Sequence, residues 1–407
     1  MNCRHCQNKL EHLFLDLGFA PPSNAYRLKE DLQEPEKMYP LRIFVCDKCW
    51  LVQTEDFVKA EELFSPEYAY FSSTSSSWLD HAARYSEMIQ KKLSLQADSF
   101  VIEVASNDGY LLKNFIEAGI PCLGIEPTKS TANAAIVLGI PVTCEFFGTN
   151  LANKLVAKGK QADLIIGNNV YAHVPDINDF TLGLKKLLNA DGTITLEFAY
   201  LLTLIQNNEF DTVYHEHFSY FSLHAVKSIF ETTGLKIYDV EELTTHGGSL
   251  RIFGCHEEAG FNTTDRVYEQ LQKEEKTRLL DLKTYVHFQK KAERVKNELL
   301  DFLEEKKMQG KSVAGYGAAA KGNTLLNYAG VKPELLPFVC DAAPSKQGNY
   351  LPGSNIPIFP PDYIKEQKPD YILILPWNIA GEIKDQLSFI LEWGGKFVTA
   401  VPDLTIS

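Results

Sequence analysis

The sequence predicts an α/β fold class: two Rossmann-like doubly wound domains joined by long helices, with a small cysteine-bearing domain at the N-terminus. Short apolar strands alternate with helical segments at 99–199 and again at 311–402. This alternation is typical of parallel sheets covered by helices. The stretch at 265–309 has helical spacing and no proline. Two Cys-x-x-Cys pairs stand near the start of the chain. These three observations fix the expected order of domains.

The first α/β unit contains four predicted strands, in SFVIEVA, IPCLGIEP, QADLIIGNN and GTITLEFAY. Helices are predicted at 112–118 and 180–188, between successive strands. In such a sheet, ligands bind beyond the carboxyl ends of the strands. We therefore assign 66–260 to one ligand-binding domain and look for its site in the residues that follow each strand.

The second α/β unit begins after a helical linker. The linker is predicted at 261–310 as one or two long helices, and Gly310 ends it. A coiled-coil surface is an alternative for this segment, but its heptad pattern is poor. Strands are then predicted in SVAGY, FVCD, YILIL and KFVTAVP. Residues 311–407 therefore form the second Rossmann-like domain.

Composition excludes several classes of function. The chain has 407 residues and a formal net charge of −13. Affinity for nucleic acid comes mainly from Lys and Arg, so general nucleic-acid binding is not expected. The N-terminus MNCRHCQNKLEHLF lacks the basic and apolar regions of a signal peptide, and no apolar run is long enough to cross a membrane. We expect a cytoplasmic protein with no nucleic-acid or membrane partner; no oligomeric state is indicated.

Two cysteine pairs predict a zinc site. They are Cys3 with Cys6 and Cys46 with Cys49. Each Cys-x-x-Cys turn supplies two thiolates, and four thiolates complete a tetrahedral zinc site with no open position. The metal is therefore predicted to be structural, and residues 1–65 to form a zinc-binding domain. His5 is an alternative ligand. Ordinary unpaired cysteines are the other interpretation, which the repeated spacing disfavours.

The turn after the first predicted strand indicates a cofactor site. The segment VIEVASNDGYLL places Glu103, Ser106, Asn107, Asp108 and Gly109 between strand and helix. Glycine allows the backbone to approach a ligand closely. The turn lacks the G-x-G-x-x-G pattern of pyrophosphate-binding dinucleotide sites. Its carboxylates instead suit a cation, and S-adenosylmethionine carries a sulfonium and an amino group.

Two further residues extend this cofactor site. Glu126 ends the second strand, where a carboxylate can accept hydrogen bonds from both ribose hydroxyls. Asn168 ends the third strand and is expected to contact the cofactor. The alternatives are a nicotinamide dehydrogenase and a doubly wound domain without cofactor preference. The pattern favours S-adenosylmethionine.

The segment FDTVYHEHFSYFSLHAV is the densest group of chemically reactive side chains. Tyr214, His215, Glu216 and His217 are consecutive. Such a cluster suggests acid–base chemistry. A metal site that uses both histidines is an alternative, but if the segment is extended its successive side chains point to opposite faces. Individual histidines with only a structural role are the remaining interpretation.

A glycine-rich turn opens the second α/β domain. GYGAAAKGNT contains Gly315, Gly317, Lys321 and Asn323 between a strand and a helix. Backbone N–H groups at a helix N-terminus, with a lysine nearby, can bind a diphosphate. The motif matches neither standard phosphate-binding pattern. A tight packing turn is the alternative, and we favour diphosphate binding.

Taken together, these segments resemble the sugar-nucleotide C-methyltransferases of deoxysugar biosynthesis. The matching segments occur in one order along nearly the whole chain: the two cysteine pairs, EYAYFSSTSSSW, EVASNDGYLL, GIEPT, NNVYAHVPD, FDTVYHEHFSYFS, THGGSLR and GYGAAAKGNTLLNY. The resemblance implies a zinc domain, a methyltransferase domain and a C-terminal domain that helps to bind the sugar nucleotide. It implies these active-site residues: Tyr68, His173, Tyr214, Glu216 and His217.

The resemblance also implies the reaction, which is methylation at carbon 3 of a nucleotide-linked 4-keto-6-deoxysugar, with thymidine diphosphate (TDP) as the expected nucleotide. The ketone acidifies the hydrogen at carbon 3, so the enzyme needs a base and donors to an enolate oxygen. We assign His217 as base and Glu216 as the residue that orients the cluster. Tyr68, Tyr214 and His173 are the candidate donors to the enolate oxygen or to sugar hydroxyls. The alternatives are an O- or N-methyltransferase, a nicotinamide oxidoreductase and a non-catalytic zinc scaffold.

Overall fold

The computed structural model describes residues 1–57 and 71–407, whose strands form three sheets. The strands are β1 (His12–Ala20), β2 (Tyr39–Val45), β3 (Val52–Thr54), β4 (Val101–Val104), β5 (Cys122–Ile125), β6 (Val142–Thr143), β7 (Ala162–Asn168), β8 (Leu188–Ala199), β9 (Ser219–Tyr220), β10 (Leu235–Leu243), β11 (Ser249–His256), β12 (Val313–Tyr316), β13 (Val339–Cys340), β14 (Ile358–Phe359), β15 (Tyr371–Ile374), β16 (Lys396–Thr399) and β17 (Thr405–Ile406). Within the described parts, no helix is both long enough and apolar enough to span a membrane.

Helices cover the two larger sheets and connect them. They are α1 (Ser76–Leu93), α2 (Leu112–Glu117), α3 (Lys129–Val137), α4 (Thr149–Val156), α5 (Ile177–Leu187), α6 (Leu201–Gln206), α7 (Leu223–Thr233), α8 (Asp265–Lys276), α9 (Lys283–Val286), α10 (Phe288–Met308), α11 (Ala320–Ala329), α12 (Tyr363–Gln367) and α13 (Ala380–Gln386). Helix α5 begins before the predicted residue 180 because the Asp176 side chain accepts a hydrogen bond from the backbone N–H of Asp179, which caps the helix.

The first sheet has the order β1-β2-β3-β9 and is antiparallel. Alternate residues of β2, namely Leu41, Ile43 and Val45, are buried, as expected for a strand with one face on a core. The fourth strand comes from much later in the chain. As a result, the N-terminal sheet contains part of the segment around residue 217.

The central sheet has the order β10-β11-β8-β7-β4-β5-β6. The pairings among β8, β7, β4, β5 and β6 are parallel, whereas β10 and β11 are antiparallel additions at one edge. All four residues of β4 are buried, which is typical of a strand covered on both faces. The four predicted strands lie at the centre of this sheet, and β6, β10 and β11 were not predicted.

The C-terminal sheet has the order β14-β13-β12-β15-β16-β17 and is parallel except for its last pair. The linker is divided into α8, α9 and α10, rather than one or two helices. The chain turns between α8 and α9 at Arg278, which has a positive φ of 60°. The predicted fold class is confirmed: two Rossmann-like units are joined by helices and preceded by a four-cysteine domain.

Candidate active site and zinc centre

The four N-terminal cysteines converge on one point. Their Sγ atoms all lie within 4.8 Å of one another, and Cys3, Cys46 and Cys49 are buried. The two knuckles have the same backbone form. Gln7 donates its N–H to Cys3 O and has φ 61°, while Trp50 donates to Cys46 O and has φ 60°. The repeated turn directs each cysteine pair toward the other pair.

This donor set fits zinc. The Sγ–Sγ distances of 3.5 Å for Cys3–Cys49 and for Cys6–Cys46 approach those of a tetrahedral site with Zn–S bonds of about 2.3 Å. The Gln53 side-chain amide donates to Cys3 Sγ at 3.3 Å. The hydrogen bond with Cys49, together with backbone N–H groups and the Gln53 amide, lowers the pKa of Cys3, while the same contact raises the pKa of Cys49, so the thiolate that a metal needs is favoured at Cys3. In the part of the chain that the structure describes, these four cysteines are the one group of three or more side chains placed to hold a metal.

His5, the alternative ligand, is turned away from the sulfur atoms. Its Nδ1 lies 2.9 Å from Asn178 Oδ1 and its Nε2 lies 3.3 Å from Ser228 Oγ. Both partners belong to helices of the central domain. His5 therefore fastens the zinc knuckle to that domain and leaves the four thiolates as the donor set.

The predicted cofactor turn follows β4 at the carboxyl edge of the central sheet. Ala105, Asn107 and Gly109 have positive φ values of 57°, 49° and 80°. A Cβ atom at Gly109 would collide with the side chain of Ile140. The chain therefore makes a tight left-handed turn that presents side chains and backbone to the sheet edge.

Several polar atoms in and beside this turn are buried without a hydrogen-bond partner among the described residues. They are both carboxylate oxygens of Glu103, Ser106 Oγ, Asp108 Oδ1 and both amide atoms of Asn168. Glu103 lies within β4, not in the turn as predicted, and Asn168 is the last residue of β7. Burial raises the pKa of Glu103 well above its usual value, and the charges of Glu126 and Asp108 add to this effect. A bound cation with N–H donors would supply hydrogen bonds to these unpaired atoms and would reduce the repulsion among the carboxylates. The chemistry of the turn fits the amino and sulfonium groups of S-adenosylmethionine.

Glu126 lies across this turn. Its carboxylate accepts the backbone N–H groups of Asn107 and Thr128, each at 2.9 Å. Asn107 Oδ1 accepts the Ser72 N–H, and Asp108 Oδ2 accepts the Ser73 N–H. Glu126 thus supports the turn, and its contact with the ribose stays a prediction.

The segment with Tyr214 and His217 is a turn rather than an extended strand. The His217 N–H donates to Tyr214 O at 3.0 Å. The rings of Tyr214 and His217 lie side by side, with centroids 4.0 Å apart, while His215 and Glu216 are buried. The alternation of neighbouring side chains between two faces was predicted for an extended segment. Because this segment is a turn, that alternation does not apply to it. Because residues 213–218 contain three of the predicted active-site residues, Tyr214, Glu216 and His217, we call them the catalytic turn.

The hydrogen bonds of two histidines fix their tautomers. His217 Nδ1 lies 3.0 Å from Thr212 O, and His173 Nδ1 lies 2.7 Å from Glu216 O. A carbonyl oxygen only accepts, so each Nδ1 carries the proton and each Nε2 is the basic nitrogen. Burial lowers the pKa of His173 to about 4, so His173 is neutral near pH 7. Neutral His173 can accept a hydrogen bond at Nε2 but has no N–H there to offer an enolate oxygen.

Glu216 is held by the N-terminal domain. Its Oε1 accepts both the backbone N–H of Asn24, at 3.3 Å, and the side-chain amide of Asn24, at 3.2 Å. Its Oε2 is buried without a hydrogen-bond partner among the described residues, and burial raises its pKa. Tyr68, the remaining predicted active-site residue, lies outside the described residues, as does its neighbour Tyr70.

The glycine-rich turn of the C-terminal domain is largely packed. A Cβ at Gly315 would lie 2.7 Å from Val339 Cγ2, and one at Gly317 (φ +88°) would collide with the ring of Pro376. Asn323 is buried and donates its side-chain amide to Ser23 O at 2.6 Å. Gly315 and Asn323 are therefore explained by packing and by contact with the N-terminal domain, and Gly317 remains at the open end of β12.

Lys321 lies between the C-terminal and central domains. Its Nζ donates to Asn378 Oδ1 at 2.8 Å and lies 4.5 Å from the centroid of the Trp377 ring. Trp377 Nε1 in turn donates to Asp211 Oδ2 at 2.8 Å. Burial raises the pKa of Asp211 to about 6 and that of Glu209 to about 7, and the charge of Lys321 opposes both shifts.

Glu209→Gln is expected to stabilise the protein at alkaline pH. The pKa of Glu209 is raised from 4.5 to about 7, so the folded protein must ionise a buried group as the pH rises through that range. Glutamine keeps the Oε1 acceptor for Asn207 and carries no charge. The free energy of unfolding should rise by up to about 3 kcal/mol at about pH 8, with most of the gain appearing above about pH 5. Urea titrations at several pH values measure it; an equal difference at all pH values would contradict the assignment.

One buried network was not predicted from the sequence. Glu197 of β8 and Arg251 of β11 are directly opposite in the sheet and form an ion pair at 2.7 Å, and His81 Nε2 lies 3.0 Å from Glu197. Burial alone would raise the pKa of Glu197, but the His81 hydrogen bond and the Arg251 charge lower it to about 2. The sequence signal that could have indicated this network is the single carboxylate inside the apolar strand GTITLEFAY.

The chain was compared with solved structures. It aligns with a SAM-dependent methyltransferase from Thermotoga maritima at a TM-score of 0.36 and 15% identity, covering 47% of this chain and 98% of that one. It also aligns with the SAM-bound magnesium protoporphyrin IX methyltransferase of Synechocystis at a TM-score of 0.33 and 15% identity, covering 44% and 77%.

The sequence comparisons cover nearly the whole chain. Residues 3–64 match a zinc binding domain family, residues 78–240 a methyltransferase domain family and residues 244–402 the C-methyltransferase C-terminal domain family. The C-methyltransferase NovU of Streptomyces niveus is 33% identical over 401 residues, which covers 98% of this chain and 95% of NovU. The chain therefore belongs to the family of S-adenosylmethionine-dependent C-methyltransferases that carry an N-terminal zinc-binding domain.

Proposed function

We propose that the protein methylates carbon 3 of a nucleotide-linked 4-keto-6-deoxysugar through an enolate, with His217 as the base. The observation that carries the proposal is the hydrogen bond from His217 Nδ1 to Thr212 O. This bond leaves Nε2 as the proton acceptor, in a ring that lies beside Tyr214 and 4.7 Å from the ring of His173.

Each group in the catalytic turn has a distinct task. His217 Nε2 takes the hydrogen from carbon 3, which the neighbouring ketone makes acidic. The Tyr214 hydroxyl donates to the enolate oxygen, with Tyr68 as the second proposed donor. His173 is neutral and carries its proton on Nδ1. Its Nε2 therefore accepts a hydrogen bond from a sugar hydroxyl instead of donating one to the enolate oxygen. Glu216 positions the turn through Asn24.

The cofactor residues orient the methyl donor. S-adenosylmethionine, when bound, supplies an electrophilic methyl group. Glu103, Asp108 and Asn168 offer buried acceptors to its cationic end, and Glu126 is the proposed acceptor for the ribose hydroxyls. The 3₁₀ helix Tyr171–His173 follows directly from the Asn168 end of β7 and reaches the catalytic turn, where Phe218 donates to Ala172 O at 2.7 Å. This short connection keeps donor and base in a fixed relation, which in-line transfer requires.

The C-terminal domain is proposed to hold the nucleotide diphosphate, with TDP as the expected nucleotide. Gly317 directly follows β12 and Lys321 lies in the first turn of α11, on the side of the sheet where doubly wound domains bind their ligands. Lys321→Met should raise the KM for the sugar nucleotide about tenfold or more, because a charge-assisted contact is lost, and should change kcat by less than about threefold. Lys311→Met, at an exposed ion pair with Asp370, is the matched control. An unchanged KM in Lys321→Met would assign Lys321 to domain packing alone.

The competing function is methylation of a sugar oxygen or nitrogen, which needs no carbon-bound proton to leave. Product analysis distinguishes the two. TDP-4-keto-6-deoxyglucose and its 2-deoxy relative would be methylated with cofactor that carries a ¹³C methyl group, and the product examined by NMR. Coupling of the labelled methyl carbon to carbon 3 supports the proposal. A methyl signal attached to oxygen or nitrogen would refute it.

A further inference from the structure

The catalytic turn contacts the first sheet, which carries the cysteine pairs, at its centre and at its C-terminal end. His215 Nε2 lies 3.2 Å from Pro40 O in β2. Val52 and Gln53 of β3 pair with Tyr220 and Ser219 of β9, directly after the turn. The last strand of the zinc-bearing sheet is thus contributed by the catalytic segment itself.

Gln53 touches both the cysteine centre and this shared strand. Its side-chain Nε2 donates to Cys3 Sγ at 3.3 Å, and its Oε1 accepts the backbone N–H of Arg4, inside the first knuckle, at 2.9 Å. Its backbone lies opposite Ser219 in the ladder. The residue is only 1% exposed, so its side chain has little freedom to move independently of the knuckle.

Thr54 completes the link to the base. Its Oγ1 donates to His217 O at 3.2 Å, and its backbone N–H donates to Phe218 O at 3.2 Å. Both bonds hold the backbone that carries the His217 side chain. A shift of about 1 Å in such a residue can cost a large factor in rate.

We propose that Gln53 and Thr54 are positioning residues that couple the four-cysteine zinc centre to the placement of His217. In this arrangement the metal site does more than stabilise the N-terminal domain, because it sets the geometry of β3 and, through β9, of the catalytic turn. The inference rests on the proposed function only for the role of His217. Zinc release and amide hydrogen exchange can be measured without substrate, so failure of this inference can be distinguished from failure of the proposed reaction.

The first experiment uses Gln53→Met, which keeps the chain length and removes both side-chain hydrogen bonds. Zinc release to a chelator should become about tenfold faster, as is typical for loss of a contact to a metal ligand. Amide hydrogen exchange in peptides covering 217–221 should accelerate together with it. A cobalt-substituted sample should also show a shifted thiolate-to-cobalt charge-transfer band. Faster zinc release with unchanged exchange at 217–221 would overturn the coupling.

The matched control is Asn8→Ala. Asn8 Nδ2 lies 3.9 Å from Cys46 Sγ and donates to Asp47 at 2.7 Å, in the second knuckle. The substitution alters the surroundings of Cys46, a predicted zinc ligand, and changes no residue of β3 or β9. Exchange at 217–221 should match that of the unaltered protein. If Asn8→Ala accelerates this exchange as much as Gln53→Met does, the effect is general loosening and the specific path through Gln53 is wrong.

Thr54→Val tests the other end of the path and preserves the shape of the side chain. Exchange at 217–221 should accelerate while zinc release stays unchanged. Turnover should fall about fivefold or more, with S-adenosylmethionine affinity within about twofold. Thr54→Ser, which restores the hydroxyl, should recover both turnover and exchange. A Thr54→Val protein with normal exchange and turnover, altered only in melting temperature, would overturn the proposal.

Discussion

His217→Asn is expected to lower turnover by about a thousandfold or more, since loss of a general base typically costs two to four orders of magnitude. Asparagine can still donate an N–H toward Thr212 O, so the turn should keep its shape. The protein should also lose the ability to exchange the carbon 3 hydrogen of the substrate with solvent. Steady-state kinetics and mass spectrometry of the exchanged sugar measure the two effects.

The cofactor site provides the control for this prediction. S-adenosylmethionine affinity, measured by calorimetry, should remain within about twofold, because Glu103 and Asp108 belong to β4 and the turn that follows it, not to the catalytic turn. His256→Asn is the matched substitution, since His256 ends β11 and its Nε2 lies 3.3 Å from Leu188 O, in the central sheet. It should leave turnover unchanged. A His217→Asn protein that exchanges carbon 3 at the normal rate would remove His217 as the base.

Cys46→Ser is expected to cause loss of zinc and a loss of stability on the order of 5 kcal/mol or more, because metal binding free energy contributes to folding. Cys46 is buried and its sulfur lies 3.5 Å from Cys6. Since β9 belongs to the same sheet, turnover should be lost as well. Zinc content by mass spectrometry and unfolding by urea measure the result.

Cys144→Ser is the natural control for that substitution. Cys144 is exposed, lies outside the four-cysteine cluster and donates its Sγ–H to Pro127 O at 3.4 Å. Its replacement should leave zinc content, stability and turnover unchanged. A Cys46→Ser protein that retained full zinc and normal stability would contradict the four-thiolate assignment.

The elements that could be predicted are those with a strong local pattern. The buried strands β4, β5, β7 and β8 stand out as apolar runs between helices, and the knuckle spacing identifies the cysteine pairs. Strand β10 was missed because its sequence LKIYDVEEL mixes charges with apolar residues. Strands β6, β14 and β17 have only two residues each, too few for a periodic signal.

The composition of the catalytic turn was visible in the sequence, but its contacts were not. Asn24 holds Glu216 from 192 residues away, and Thr54 holds His217 from 163 residues away. No local spacing signals such pairs, because they depend on how the three sheets meet. For a related reason the sequence does not show that the Nδ1 proton of His173 is directed to Glu216 O, which leaves Nε2 as the acceptor of the neutral ring.

The central claim is that a carbanion equivalent forms at carbon 3 beside His217. The most direct test incubates TDP-4-keto-6-deoxyglucose and its 2-deoxy relative with the purified protein in deuterated water, with and without S-adenosylmethionine, followed by mass spectrometry. We expect deuterium at carbon 3 without the cofactor and a methyl-sized mass gain with it. A methyl gain without any exchange at carbon 3 would contradict the enolate mechanism and favour methylation at oxygen or nitrogen.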